Sequence, residues 1–190
     1  MGKVLAASQA IDRVLFRIAL ASGWLFLALT AVIVLDVVTR KYGYQIPSFG
    51  STRIQELEGH LHLALFSLWL GFAYVKNAHV RIDIAVAGMS SRSRVLIELL
   101  GCIFFALPFT LIALYFGVRY ASASFATNEH SVSLSGLPYL FVAKTVLALG
   151  LLLLNLAVIS VTLRALTFLY GPPELRDQAG FNDYRMQASD

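Results

Sequence analysis

Residues Ile18 to Val38 read IALASGWLFLALTAVIVLDVV, with no charge before Asp36. A helix needs about 20 mainly apolar residues to cross hydrocarbon, so this stretch predicts a membrane span. Working outward, three more follow, giving spans at about 18–38, 54–76, 95–118 and 139–163. The second is continuously apolar only from Leu61 to Val75 and reaches full length if its helix begins near Ile54. The chain has 190 residues, 58% hydrophobic and 14% charged, with a mean hydropathy of +0.72. A soluble domain is about 45–50% apolar and about 25% charged, and one compact core of this size cannot hide so much apolar surface. A disordered chain, a soluble enzyme and a nucleic-acid binder are thereby excluded. The single cysteine, Cys102, sits in an apolar run and supports neither a disulfide framework nor a cysteine metal site.

The first span is longer than the apolar region of a signal peptide and has no small-x-small cleavage pattern close behind it, so it reads as an uncleaved anchor. Connections of at most about 20 residues leave no soluble domain. Positive charge sets the orientation. Ten cations fall on the side of the two termini and the middle loop: Lys3, Arg13, Arg17, Lys76, Arg81, Arg92, Arg94, Arg164, Arg176 and Arg185. Four fall opposite (Arg40, Lys41, Arg53 and Arg119), and Lys144 lies within the last span. The net charge of +4 therefore serves topology and anionic headgroups and calls for no nucleic acid.

At the N-terminus Val4, Leu5, Ile11, Val14, Leu15 and Ile18 fall on one helical face, with Asp12 and Arg13 off it, which predicts a short interfacial helix. Ser90 or Ser91 is placed to cap the third span's helix. Ser135-Gly136-Leu137-Pro138 reads as a break before the fourth. The reading is an all-α integral membrane protein: one four-helix transmembrane domain over residues 1–170, a short N-terminal interfacial helix, both termini cytoplasmic, and a loose cytoplasmic tail over 171–190.

Polar residues in or beside spans are the functional candidates, because a charge at bilayer centre costs about 2.5–3.5 kcal/mol on insertion scales. Nearly all sit near span ends. Asp36 precedes Arg40 by four residues and Arg94 precedes Glu98 by four, both spaced for helical pairs. Lys144 lies about 9 Å along its helix from Pro138, within reach of Glu129 or of the interface by snorkelling. Glu56, Glu58, His60 and His62 resemble a metal site, but Glu56/His60 and Glu58/His62 point about 200° apart on one helix. An acidic helix start explains the glutamates. No histidine lies where facing helices would ligate a haem. No nucleophile motif and no Gly-rich phosphate loop is present, so no enzyme is visible. Pro108 has no matching broken helix of the kind a self-sufficient transporter uses and predicts a kink. Small residues at four-residue spacing, Ala19/Gly23 and Gly117/Ala121, offer helix-association surface. Three functions stay open on this ground: a non-catalytic transporter subunit, the membrane anchor of a redox complex, and a small homo-oligomeric exporter.

The stretch from Gln55-Glu56-Leu57-Glu58-Gly59-His60-Leu61 through Leu70-Gly71-Phe72-Ala73-Tyr74 to Lys76-Asn77-Ala78-His79-Val80-Arg81-Ile82-Asp83 resembles the small permease (Q) subunit of tripartite ATP-independent periplasmic (TRAP) transporters. Ser124, Glu129, Ser131, Gly136-Leu137-Pro138 and Lys144 look like that family's third loop and fourth span. The resemblance covers residues 14 to 170 and is nearest the branch labelled mannitol/chloroaromatic.

The resemblance implies a division of labour. A periplasmic substrate-binding protein captures an organic acid. A large multi-span permease subunit binds Na⁺ and substrate and moves them. The small subunit braces the large one in the bacterial inner membrane, among lipids, with no cofactor of its own. It implies structural or interface roles for Glu56, Glu58, His79, Arg81, Asp83, Glu98, Glu129 and Lys144. Arg81 would meet headgroups while His79 or Asp83 fixes the loop after the second span. Glu56 and Glu58 would pair with Arg53 or with the large subunit, and the loop Tyr42 to Thr52 would touch the binding protein.

Overall fold

A computed structural model describes residues 1–44, 50–78 and 88–181. Among these residues every regular element is helical. The elements are α1 (Gly2–Ser22), α2 (Trp24–Lys41), α3 (Ser51–Val75), α4 (Ser91–Gly101), a π-helical turn (Cys102–Ala106), α5 (Leu107–Ala126), α6 (Phe141–Tyr170), α7 (Pro173–Arg176) and a 3-10 turn (Asp177–Ala179). Among the described residues three stretches are long and apolar enough to cross a membrane: Gly2–Lys41, Ser91–Ala126 and Phe141–Tyr170. At 25 residues α3 has the length, but Glu58, His60 and His62 lower its hydropathy.

The expected short N-terminal interfacial helix is instead the start of a 21-residue helix that runs to Ser22. Leu5, Ser8, Leu15, Ala19 and Ser22 are buried, and Asp12 is half-buried between them. Their alternating three- and four-residue spacing puts them on one seam, so Asp12 lies on the packed face and not off it. Gly23 separates α1 from α2 while keeping right-handed helical angles.

Ser90 caps α4 by accepting from the Ser93 N–H at 3.2 Å. Pro108 brings no backbone N–H and its ring crowds the carbonyl one turn back. The chain takes this up just before the proline as the π turn, in which the Leu107 N–H donates to Cys102 O. Hydroxyls inside the helices are satisfied locally: those of Thr30, Thr145 and Thr162 donate to the carbonyl four residues earlier.

The chain divides into two compact units. The first comprises Met1–Phe16, Gly71–Ile112 and Leu153–Asp190. Its apolar core joins Val95 and Leu99 of α4 to Ala165, Phe168 and Leu169 of α6 and to Ala179 and Phe181 beyond it. The segment after Tyr170 is thus packed as far as Phe181 and is not a loose tail from 171. Pro173 starts α7 where a missing N–H does no harm. Gly180, at φ +79, turns the chain so that Phe181 meets Phe168 with ring centroids 5.8 Å apart. Residues 182–190 lie outside the described residues. A Cβ on Gly71 would stand 2.6 Å from Leu153 O, so α3 and α6 touch here backbone to backbone.

The second unit comprises Arg17–Leu70 and Ala113–Leu152. Here the close approach of the same two helices is at Gly150, where a Cβ would lie 2.5 Å from Ser67 Cβ and 2.6 Å from Ser67 O. Ala19 and Ala121 are buried, and a Cβ on Gly117 would lie 2.8 Å from Leu151 Cδ1. Of the small residues expected to mediate association, these three are enclosed by the chain itself.

Candidate functional site

The polar residues that the sequence singles out near the start of α3 fall in the second unit, where they fasten the 127–140 connection to that helix. Glu56 accepts from the Ser131 hydroxyl and from the Leu137 N–H at 2.5 Å. Arg53 Nε donates to Ser135 O at 3.1 Å. The connection also closes on itself, with the Ser131 N–H donating to Leu137 O at 3.2 Å and the Leu140 N–H to Glu129 O at 3.1 Å. Gly136 is enclosed by Ser131 and Glu56 with no room for a Cβ, so only glycine fits there.

Glu129 and Lys144 form an ion pair, with the ammonium over the Tyr120 ring at 3.8 Å from its centroid. The hydrogen bond from Lys144 holds the Glu129 carboxyl below the ordinary carboxylate value. Asp36 is fully buried and pairs with Arg40 across one helical turn.

Glu58 does not join this fastening. It lines a cleft of about 510 Å³ with Leu29 and Ile33 of α2 and Gln55, Gly59, His62, Leu63 and Phe66 of α3. Its Oε1 is shut off from solvent and has no hydrogen-bond partner among the described residues. Glu56 and Glu58 therefore separate as the helical geometry predicts, the first onto the loop and the second into a cleft with His62. Among the described residues no three His, Cys, Asp or Glu side chains are grouped to hold a metal ion.

In the first unit, Asp12 accepts from Ser160 Oγ at 2.5 Å and faces Arg164 Nη1 at 3.7 Å. Ser160 also donates to Ser8 O, and Arg164 Nη2 to Val75 O. Buried Asn155 donates to buried Thr110 at 2.9 Å, joining α6 to α5. Sequence reasoning missed both clusters. Asn155 was visible as a polar residue deep in an apolar run; the Asp12–Arg164 pair gave no local signal, being made across most of the chain. Glu98 lines a second cleft, of about 570 Å³, with Tyr74, Cys102 and Phe105. Tyr74 Oη lies 3.5 Å from Cys102 Sγ.

The structure thus brings Glu56 together with the 127–140 connection and pairs Glu129 with Lys144, while Glu58 and Glu98 line separate clefts. His79, Arg81 and Asp83 lie outside the described residues, as do residues 45–49 of the loop expected to touch a binding protein. Tyr44 beside that loop is exposed.

A family model described as "Tripartite ATP-independent periplasmic transporters, DctQ component" matches residues 10–168. No curated protein and no solved structure matches the chain.

Proposed function

The chain belongs to the DctQ-component family of tripartite ATP-independent periplasmic transporters, and from that premise we propose that this small transporter subunit acts as a static brace. The family works with a large permease subunit and a periplasmic binding protein. In the proposal this chain crosses the bacterial inner membrane four times as one domain over 1–170, with both termini in the cytoplasm. It holds the fixed part of the large subunit while that subunit moves an organic acid with Na⁺, within the mannitol/chloroaromatic branch. It carries no substrate, Na⁺ or cofactor itself and catalyses no reaction. Lipid headgroups meet its basic loops, His79, Arg81 and Asp83 order the loop after α3, and the 42–52 loop meets the binding protein.

One observation carries the bracing role: the polar groups between helices tie elements of this chain to each other. Asn155 reaches Thr110, Ser160 and Arg164 reach Asp12, Arg164 reaches the end of α3, and Glu56 holds a loop. Groups engaged this way rigidify a bundle, whereas carriers place theirs around cargo, on broken helices near the midplane.

Proteoliposomes test it. With binding protein and a Na⁺ gradient, uptake requires both membrane subunits, and this chain reconstituted alone gives none. Solute movement by the chain alone, or a stoichiometric prosthetic group in the purified chain, overturns the proposal.

A further inference from the structure

Only five residues of α3 are exposed: Gln55, Gly59, His62, Phe66 and Trp69. Their spacing of four, three, four and three residues makes one straight stripe, the seam along which helices pack side by side. The rest of α3 is covered at least in part by the chain itself.

The stripe is unlike the face exposed by the π-helical turn and α5. There Phe105, Phe109 and Phe116 are 78%, 67% and 62% exposed among other apolar side chains, a surface suited to lipid tails. On α3 the stripe carries an amide, a glycine and an imidazole. His62 is about 16 Å along the helix from Ser51 at 1.5 Å per residue, within the hydrocarbon if α3 is a span. A polar group facing lipid at that depth is costly, and such residues face protein partners.

Gly59 points the same way. Glycine inside a helix costs about 0.5–1 kcal/mol relative to alanine, yet a Cβ there would meet nothing within 4 Å. Nothing among the described residues requires it; a helix approaching from outside would. Beside it the cleft holds Glu58, with one carboxylate oxygen shielded and without a donor among the described residues. A carboxylate among Leu29, Leu63 and Phe66 is complementary to a cation.

We propose that the groove between α2 and α3 seats a transmembrane helix of the large permease subunit, whose basic side chain meets Glu58 while its backbone closes on Gly59. This rests on the bracing role and names the surface that performs it.

The test uses the complete complex in native membranes, with a photo-crosslinking amino acid replacing His62 or Phe66. The expected result is an adduct with the large subunit from both positions and none from Phe105 or Phe116. An adduct between two copies of this chain, or no protein adduct while the large subunit still co-purifies, overturns the groove and leaves the brace standing. Failure of the unsubstituted chain to retain the large subunit overturns both.

The charge is tested separately. Glu58→Lys lowers recovery of the large subunit about tenfold or more and Glu58→Gln lowers it less, with both variants matching the unsubstituted chain in melting temperature and gel-filtration profile. Unchanged recovery with Glu58→Lys removes the basic side chain from the proposal. A Glu58→Lys chain that fails to fold leaves the decision to Glu58→Gln, where unchanged recovery has the same consequence.

Discussion

Glu56 and Glu58 are two residues apart, equally acidic, and indistinguishable by composition. One helical step of about 100° per residue separates their surroundings. Glu56 holds the 127–140 connection through Ser131 and Leu137. Glu56→Ala removes a charged acceptor from two donors, a loss of about 2 kcal/mol. It is expected to lower the melting temperature of the purified chain and to open the connection to protease, while Glu58→Gln does neither. Equal protease resistance in the two variants would show that the fastening is not made by Glu56. The neighbouring ion pair adds a pH dependence of definite sign. Because Lys144 holds the Glu129 carboxyl below its ordinary value of 4.5, the pair's stabilisation is fully present above that value. It is lost as pH falls through the depressed folded-state value. Lys144→Met should therefore melt lower than the unsubstituted protein at neutral pH, and the two should converge as the pH drops below 4.5. A gap that stays constant across the titration would remove the pair as its cause.

Among the elements, what could be read from the chain was whatever a helix encodes locally. The apolar run opening at Ile18, the cap at Ser90, the disturbance before Pro108 and the break before the last long helix all have local causes. What could not be read was which faces meet. Asp12 looked like a solvated residue because its partners, Ser160 and Arg164, lie near the other end of the chain. Gly71 and Gly150 lie in apolar runs, and nothing local in the sequence marks their close approach to Leu153 and Ser67. Ala19/Gly23 and Gly117/Ala121 have the spacing of a helix-association surface, and three of the four are packed within the chain. Spacing states that a close contact is possible and is silent on the partner. The glycines of α3 and α6 give a direct comparison. Gly150→Ala forces a Cβ onto the Ser67 backbone and should destabilise the purified chain by about 1–3 kcal/mol, as overpacking does. Gly59→Ala meets no atom of the described residues and should leave the melting temperature unchanged or raise it, since alanine is the better helix former. Thermal unfolding in detergent reads both. A Gly150→Ala chain as stable as the unsubstituted one would mean that α3 and α6 are not in contact at Gly150.

For the molecule as a whole, the division into two units bears on topology. The chain passes between them after Phe16, Leu70, Ile112 and Leu152. Each of these points falls inside a long helix: α1, α3, α5 and α6. Among the described residues, those before α1 and after α6 and those between α3 and α4 belong to the first unit, and those following α2 and α5 belong to the second. The four crossings of the proposed topology need those ends grouped in this way, with α3 as a span despite the polar residues that lower its hydropathy. In the proposal the excess of Lys and Arg at the termini and middle loop puts that group of ends in the cytoplasm. Single cysteines in a Cys102→Ser background check this with a membrane-impermeant maleimide. Tyr44→Cys and Leu134→Cys, at exposed positions in the second unit, should label in spheroplasts. Lys3→Cys and Ser90→Cys, exposed in the first, should label only after the membrane is opened. Labelling of positions 3 and 134 from the same side would leave three crossings, with α3 lying outside the hydrocarbon. Its polar stripe would then need no covering helix, and both the topology and the groove assigned to the large subunit would fall together.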